Sequence, residues 1–126
     1  EKKLALLITH ITVKDFLNHR PPKTTQQITD KLKTPVRLVR EVIANLVTAG
    51  ILVELSTENE KQVAYHPGVD INKLSIKYVI DSLENAGTSD IPVERSKQLE
   101  KIEENLEKIS KQVERSSGNT LLKDIF

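Results

Sequence analysis

Residues 24–55 read TTQQITDKLKTPVRLVREVIANLVTAGILVEL, and this stretch decides the fold. Thr24 with Gln27 three residues on has the spacing of a capping box, in which a hydroxyl and a side-chain amide satisfy the free amides of a helix start. The helix that opens there buries Ile28 and Leu32. Thr34 followed by Pro35 is a second start signal, with a hydroxyl to cap and a proline at a first helical position that needs no N–H. The helix over 35–49 then sets Val36, Val39, Ile43 and Leu46 on one stripe, at spacings of three and four, and Gly50 ends it. ILVELST (51–57) and KQVAYH (61–66) read as two strands around the polar turn ENEK (58–61).

Upstream, Leu4, Leu7, Ile8 and Ile11 recur at helical spacing, with Phe16 and Leu17 continuing the apolar content. Pro21 and Pro22 stop that helix by biasing the chain towards extended backbone. Three helices and a hairpin in this order make a winged helix-turn-helix, mainly α with a small β-hairpin (α+β). Downstream, Ser75 caps a helix carrying Ile76, Val79, Ile80 and Leu83, which Gly87 ends. TSDIP (88–92) is a short linker. From Val93 to Arg115 the chain is charged and free of Gly and Pro, with Leu99, Ile102, Leu106, Ile109 and Val113 in a heptad stripe. A stripe that narrow suits one partner helix better than a broad core. Glu104 with Lys108, and Glu107 with Lys111, are spaced to pair on the wet side. SSGN breaks the helix and TLLKDIF reads as an apolar latch. The chain divides into a winged-helix region with its following helix (1–87) and a linker, long helix and latch (88–126).

Composition narrows the function. Of 126 residues 37% are hydrophobic and 29% charged, ordinary for a soluble chain. Aromatics make up only 3%, so a surface that stacks bases on rings is not expected. With no cysteine there are no disulfides, thiolate zinc sites or cysteine-held clusters. The net charge of +1 divides into +3 before Pro67 and −2 from there on, a weak surplus for a nucleic-acid binder. The apolar run LALLITHITV is shorter than the ~20 residues that span a bilayer, and reads as the buried face of a first helix. There is no Met, and the sequence reads either as trimmed or as a piece cut from a longer protein.

Three candidate sites follow. In a DNA-binding module the helix over 35–49 enters the major groove, where arginine bridges guanine edges and asparagine pairs with adenine. Arg37, Arg40, Asn45 and Thr48 fall outside its apolar stripe, with Lys23, Lys31 and Lys33 beside it for phosphates. Against this stand Glu41, spaced to pair with Arg37, and a turn carrying Glu58 and Glu60 against Lys61. The second site is the stripe Leu99, Ile102, Leu106, Ile109 and Val113, read as a dimerisation surface. The third, catalysis, finds no support. His10, His19 and His66 are scattered without metal-ligand spacing, Glu100, Glu103, Glu104 and Glu107 are interleaved with lysines, and no nucleophile or phosphate-loop motif occurs. No cofactor or metal is expected.

ITDKLKTPVRLVREVIANLVTAGILVEL, AYHPGVDINKLSIKYVIDSLENAG and NTLLKDI together resemble the winged-helix repressors that sense iron–sulfur clusters or other signals. That resemblance implies a long helix pairing two subunits; the cluster-binding cysteines of those repressors have no counterpart here. A likeness over nearly the whole chain, through KKLALLITHITVKDF, RPPKTTQQI, PVRLVREVI and GNTLLKDI, is to the soluble C-terminal extension of YihY/BrkB-type bacterial membrane proteins, also called ribonuclease BN-like. It implies a cytoplasmic module at the inner membrane, attached to the rest of a membrane protein before Glu1. The sequence is therefore read as a non-enzymatic regulatory or interaction module that forms a homodimer. The alternative is a dimeric transcription regulator binding double-stranded DNA through the helix at 35–49.

Overall fold

The computed structural model describes residues 2–58, 62–87 and 94–126. In chain order these form α1 (Lys2–Leu17), α2 (Thr25–Leu32), α3 (Val36–Thr48), β1 (Leu52–Ser56), β2 (Val63–Pro67), α4 (Ile76–Gly87), α5 (Lys97–Glu114) and a 3₁₀ turn at Leu122–Asp124. One core joins all of them except α5, with Ile8, Ile28, Val39, Leu46, Leu74 and Val79 at its centre. This is the winged helix-turn-helix read from residues 24–55.

The helices start and stop for local reasons. Thr24 Oγ1 accepts from the Gln27 amide (3.3 Å) while Gln27 Oε1 accepts from the Thr24 amide (2.9 Å), so the capping box forms. The start of α3 differs from expectation. Lys33 takes a left-handed conformation at the end of α2 (φ 53°), which turns Thr34 so that its hydroxyl donates to the Leu32 carbonyl instead of capping. Pro35 therefore occupies the cap of α3, with no side-chain bond.

The first helix buries Leu4, Ile8 and Ile11 as their spacing suggests, but not every apolar residue that the spacing includes. Leu7, Phe16 and Leu17 are exposed, whereas Thr9, Thr12 and Asp15 are buried. The two threonines fit the core because each hydroxyl donates to the carbonyl four residues back, Thr9 to Ala5 (2.8 Å) and Thr12 to Ile8 (3.0 Å). Helix α1 ends in a Schellman motif, with the Arg20 amide bonded to the Asp15 carbonyl (2.8 Å) and the His19 amide to that of Phe16 (3.3 Å).

The hairpin strands pair antiparallel, with Leu52 opposite Pro67, Glu54 opposite Tyr65 and Ser56 opposite Val63. At the base Gly50 adopts φ 80° and the Gly68 amide donates to Ile51 (2.8 Å). A Cβ on Gly68 would sit 2.6 Å from the Gly50 carbonyl oxygen, so the close approach requires glycine there. Strand β2 is flanked on both sides, because Thr24 bridges Ala64 and the Tyr65 amide donates to Lys23 (3.1 Å). The segment entering α2 thus acts as a third, minimal strand. The turn residues Glu60 and Lys61, on which part of the wing's charge reading depends, lie outside the described residues, as do the linker 88–92 and Val93.

Ser75 caps α4 by accepting from the Tyr78 amide, and Ser96 caps α5 by accepting from Leu99, each at 3.1 Å. No residue of α5 is buried. The chain then returns to the core. Leu122 is buried and its amide donates to Leu74 (2.9 Å), while the Ile76 amide donates to Thr120 (2.9 Å). His10 Nε2 lies 2.7 Å from the Ile125 carbonyl and must donate to it. The latch is therefore Leu122 with its backbone bonds and Ile125, partly buried against the core; Phe126 is fully exposed. Asn119 ties the last two helices together, its Oδ1 accepting from the Lys77 amide (2.9 Å) and its Nδ2 donating to the Glu114 carbonyl (3.2 Å). Among the described residues no helix is long and apolar enough to cross a membrane.

Candidate nucleic-acid interface

Helix α3 has 3.6 residues per turn, so the buried Val39, Val42, Ile43 and Leu46 fix which positions face outward. Arg37, Arg40, Glu41, Asn45 and Thr48 are all exposed, but they do not share one patch. Arg40 and Asn45 are separated by about 140° around the axis and lie on opposite flanks. Arg40 lines an open, polar cleft of about 480 Å³ with Val36, Thr24, Thr25, Gln26 and Gln62, between the start of α2, α3 and the wing strand β2. Asn45 and Thr48 line another cleft, of about 330 Å³, with Lys2, Leu83 and Glu84 at the far ends of α1 and α4. The sequence-predicted set is thus divided in two.

The first cleft combines features that suit a phosphate backbone. The Gln27 amide is taken by the Thr24 cap, which leaves the Thr25 and Gln26 amides without a partner among the described residues at the start of α2, where the helix end carries partial positive charge. Lys31, Lys33 and Arg37 are exposed on the same helix-turn-helix, and none makes an ion pair among the described residues. No ion pair joins Arg37 to Glu41 either, so the mutual neutralisation that their spacing allowed does not form. Lys23 is committed elsewhere: its ammonium lies 2.6 Å from Asp15 Oδ2 and its side chain is largely covered. Sequence spacing could not reveal this, because Asp15 sits on another helix.

The second candidate surface is α5. Ile102, Leu106, Ile109 and Val113 are all exposed, and only Leu99 is partly covered. Leu106, Ile109 and Val113 face Ile76 and Ile80 of α4 across an open apolar groove of about 300 Å³. Lys77 stands at its edge, paired with Asp81; that hydrogen bond, assisted by the Asp81, Glu114 and Glu107 charges, raises the lysine above its ordinary pKa. On the wet side the predicted pairs Glu104–Lys108 and Glu107–Lys111 are replaced by Lys101–Glu104 (3.5 Å) and by Arg95 with Glu103 (2.8 Å). Exposed side chains choose among near-equivalent partners, so spacing does not decide the pairing.

No family model matches the chain, and no curated protein matches it. Two solved structures share the architecture. The structure of CymR (YrzC), the global cysteine regulator of B. subtilis, superposes with a TM-score of 0.64 at 18% identity, covering 98% of this chain and 90% of that one. A Listeria innocua protein classed as a transcriptional regulator gives a TM-score of 0.63 at 20% identity, covering 98% of this chain and 81% of that one. At such identity the likeness establishes the fold: a winged helix-turn-helix followed by a long helix.

Proposed function

We propose that this chain is a non-enzymatic, dimeric transcription regulator that binds double-stranded DNA with the start of α3 and the cleft beside α2. One observation carries the reading. Arg40, the uncapped Thr25 and Gln26 amides at the start of α2 and the wing strand border one open polar cleft, and Lys33 and Arg37 on the same motif have no acidic partner among the described residues. That both structural neighbours are described as regulators supports it. In this reading Arg37 and Arg40 approach base edges or phosphates, Lys31 and Lys33 hold phosphates, and the stripe of α5 pairs two copies so that two α3 helices meet DNA together. Lys23, Asn45 and Thr48 take no part in the contact. The appendage of a YihY/BrkB-like membrane protein draws no support from the fold or the comparisons, and the regulator reading is preferred.

The test is a mobility shift with random-sequence duplex at low salt. Binding that weakens steeply with salt and is lost in the Arg37→Ala/Arg40→Ala double variant supports the proposal. Absence of binding at low salt, with the protein folded, rejects it.

A further inference from the structure

Another cleft, of about 370 Å³, opens between the C-terminal end of α1 and the base of the hairpin, lined in part by Phe16, His19, Arg20, Pro22, His66 and Pro67. The regulator reading makes no use of it. Two of its lining residues, Asp15 and Arg20, belong to an ion triad: Asp15 accepts from Arg20 Nε at Oδ1 (3.0 Å) and from Lys23 Nζ at Oδ2 (2.6 Å). One carboxylate therefore faces two cations, and a positive charge is left over. Both oxygens of Asp15 are engaged, and its side chain is 4% exposed against 52% for Arg20. The excess charge is therefore presented to solvent by Arg20. Only Nε of the guanidinium bonds to Asp15, which leaves its two Nη groups, the paired donors that fit an oxyanion.

The neighbours strengthen this. His19 sits at φ 56°, the left-handed position that closes α1, and its imidazole borders the cleft. Across from it, the His66 ring meets Phe16 edge-on, with centroids 4.6 Å apart. His66 Nδ1 lies 3.1 Å from the Pro67 carbonyl, which can only accept, so Nδ1 is the donor of that bond, and Nε2 of the neutral ring is an acceptor that can take a bond from the P–OH of a phosphate but not from a carboxylate. Phe16, Pro22 and Pro67 add apolar wall for the body of a small organic molecule.

We propose that this cleft binds a small oxyanion, with Arg20 as its principal ligand and His19 and His66 beside it. A carboxylate and a phosphate monoester present the same chemistry to this fork, and the experiment separates them. The ring signals of His19 and His66 are followed by NMR while inorganic phosphate, and in separate titrations acetate and benzoate, are added at constant ionic strength. A saturable shift of these two rings is expected, with phosphate alone or carboxylate alone identifying the source. Arg20→Lys keeps the charge and the triad but removes the fork, and is expected to weaken binding at least about fivefold. His19→Gly relieves the backbone and is expected to raise the melting temperature while weakening binding, a combination that a purely structural histidine would not give. No saturable shift at tens of millimolar of any probe, or an unchanged affinity in folded Arg20→Lys, overturns the proposal.

Discussion

Leu106→Asp is the perturbation that the long helix makes most informative. Leu106 lies in the middle of the stripe and is 59% exposed in the single chain, so pairing has more than half of the side chain left to bury. Full burial of a leucine contributes about 1.5–3 kcal/mol, so the uncovered part contributes about 1–2 kcal/mol per copy. A two-fold dimer counts it twice, about 2–4 kcal/mol in all, and at 1.4 kcal/mol per decade the substitution weakens association about 30- to several-hundred-fold. The aspartate adds to this, since its charge would have to be desolvated at the seam. Folding should hardly change, because no residue of α5 is buried in the core. Sedimentation equilibrium at micromolar concentration reads both species, and circular dichroism checks the fold. A wild-type chain that stays monomeric there, or a Leu106→Asp variant that dimerises as well as wild type, refutes the reasoning.

Three further outcomes follow from particular contacts. Leu122→Ala removes a fully buried side chain and should cost about 2–5 kcal/mol in chemical denaturation; a loss below about 0.5 kcal/mol would mean that the latch is not part of the core. Lys33→Gly removes a left-handed non-glycine residue, so it should stabilise the fold by about 1 kcal/mol while lowering the salt slope of DNA binding by about one; destabilisation would contradict the conformation assigned to the turn. Lys77 has a raised pKa, so the folded chain keeps a proton that the unfolded chain gives up above about pH 10.4, and its stabilisation is complete below that value and fades as pH climbs further. The stability gap between wild type and Lys77→Gln should therefore narrow on the alkaline side, and a gap independent of pH would rule out the Asp81 pairing as its origin.

Local chemistry explains which parts of the molecule the sequence made legible. The capping box at Thr24, the stripe of α3, the glycine after it and the serine cap of α4 are all decided within a few residues, and the fold follows from them. Features that depend on distant partners were opaque. Leu7 reads as core in the period of α1, yet Thr9, Thr12 and Asp15 take the buried face because their bonds are satisfied there. Lys23 reads as a phosphate ligand until the fold brings it to Asp15, and Asn45 reads as a base contact until the helix turns it towards α1 and α4. The Thr34 cap failed for a subtler reason, the left-handed Lys33 just before it. The heptad stripe was visible because it is a repeat, and its exposure in the single chain keeps the dimer reading alive. The charge state of the helix-turn-helix, by contrast, was opaque, since only the fold shows that Lys31, Lys33 and Arg37 form no ion pair among the described residues.

The most direct measurement is in vitro selection of binding sites by the purified chain from a pool of random duplexes. Two α3 helices held by a two-fold dimer should enrich inverted repeats whose half-sites are spaced by about one helical turn, ~10 base pairs, or a multiple of it. A pool that remains random after repeated rounds at low salt, with folded dimeric protein, would contradict DNA recognition by this face.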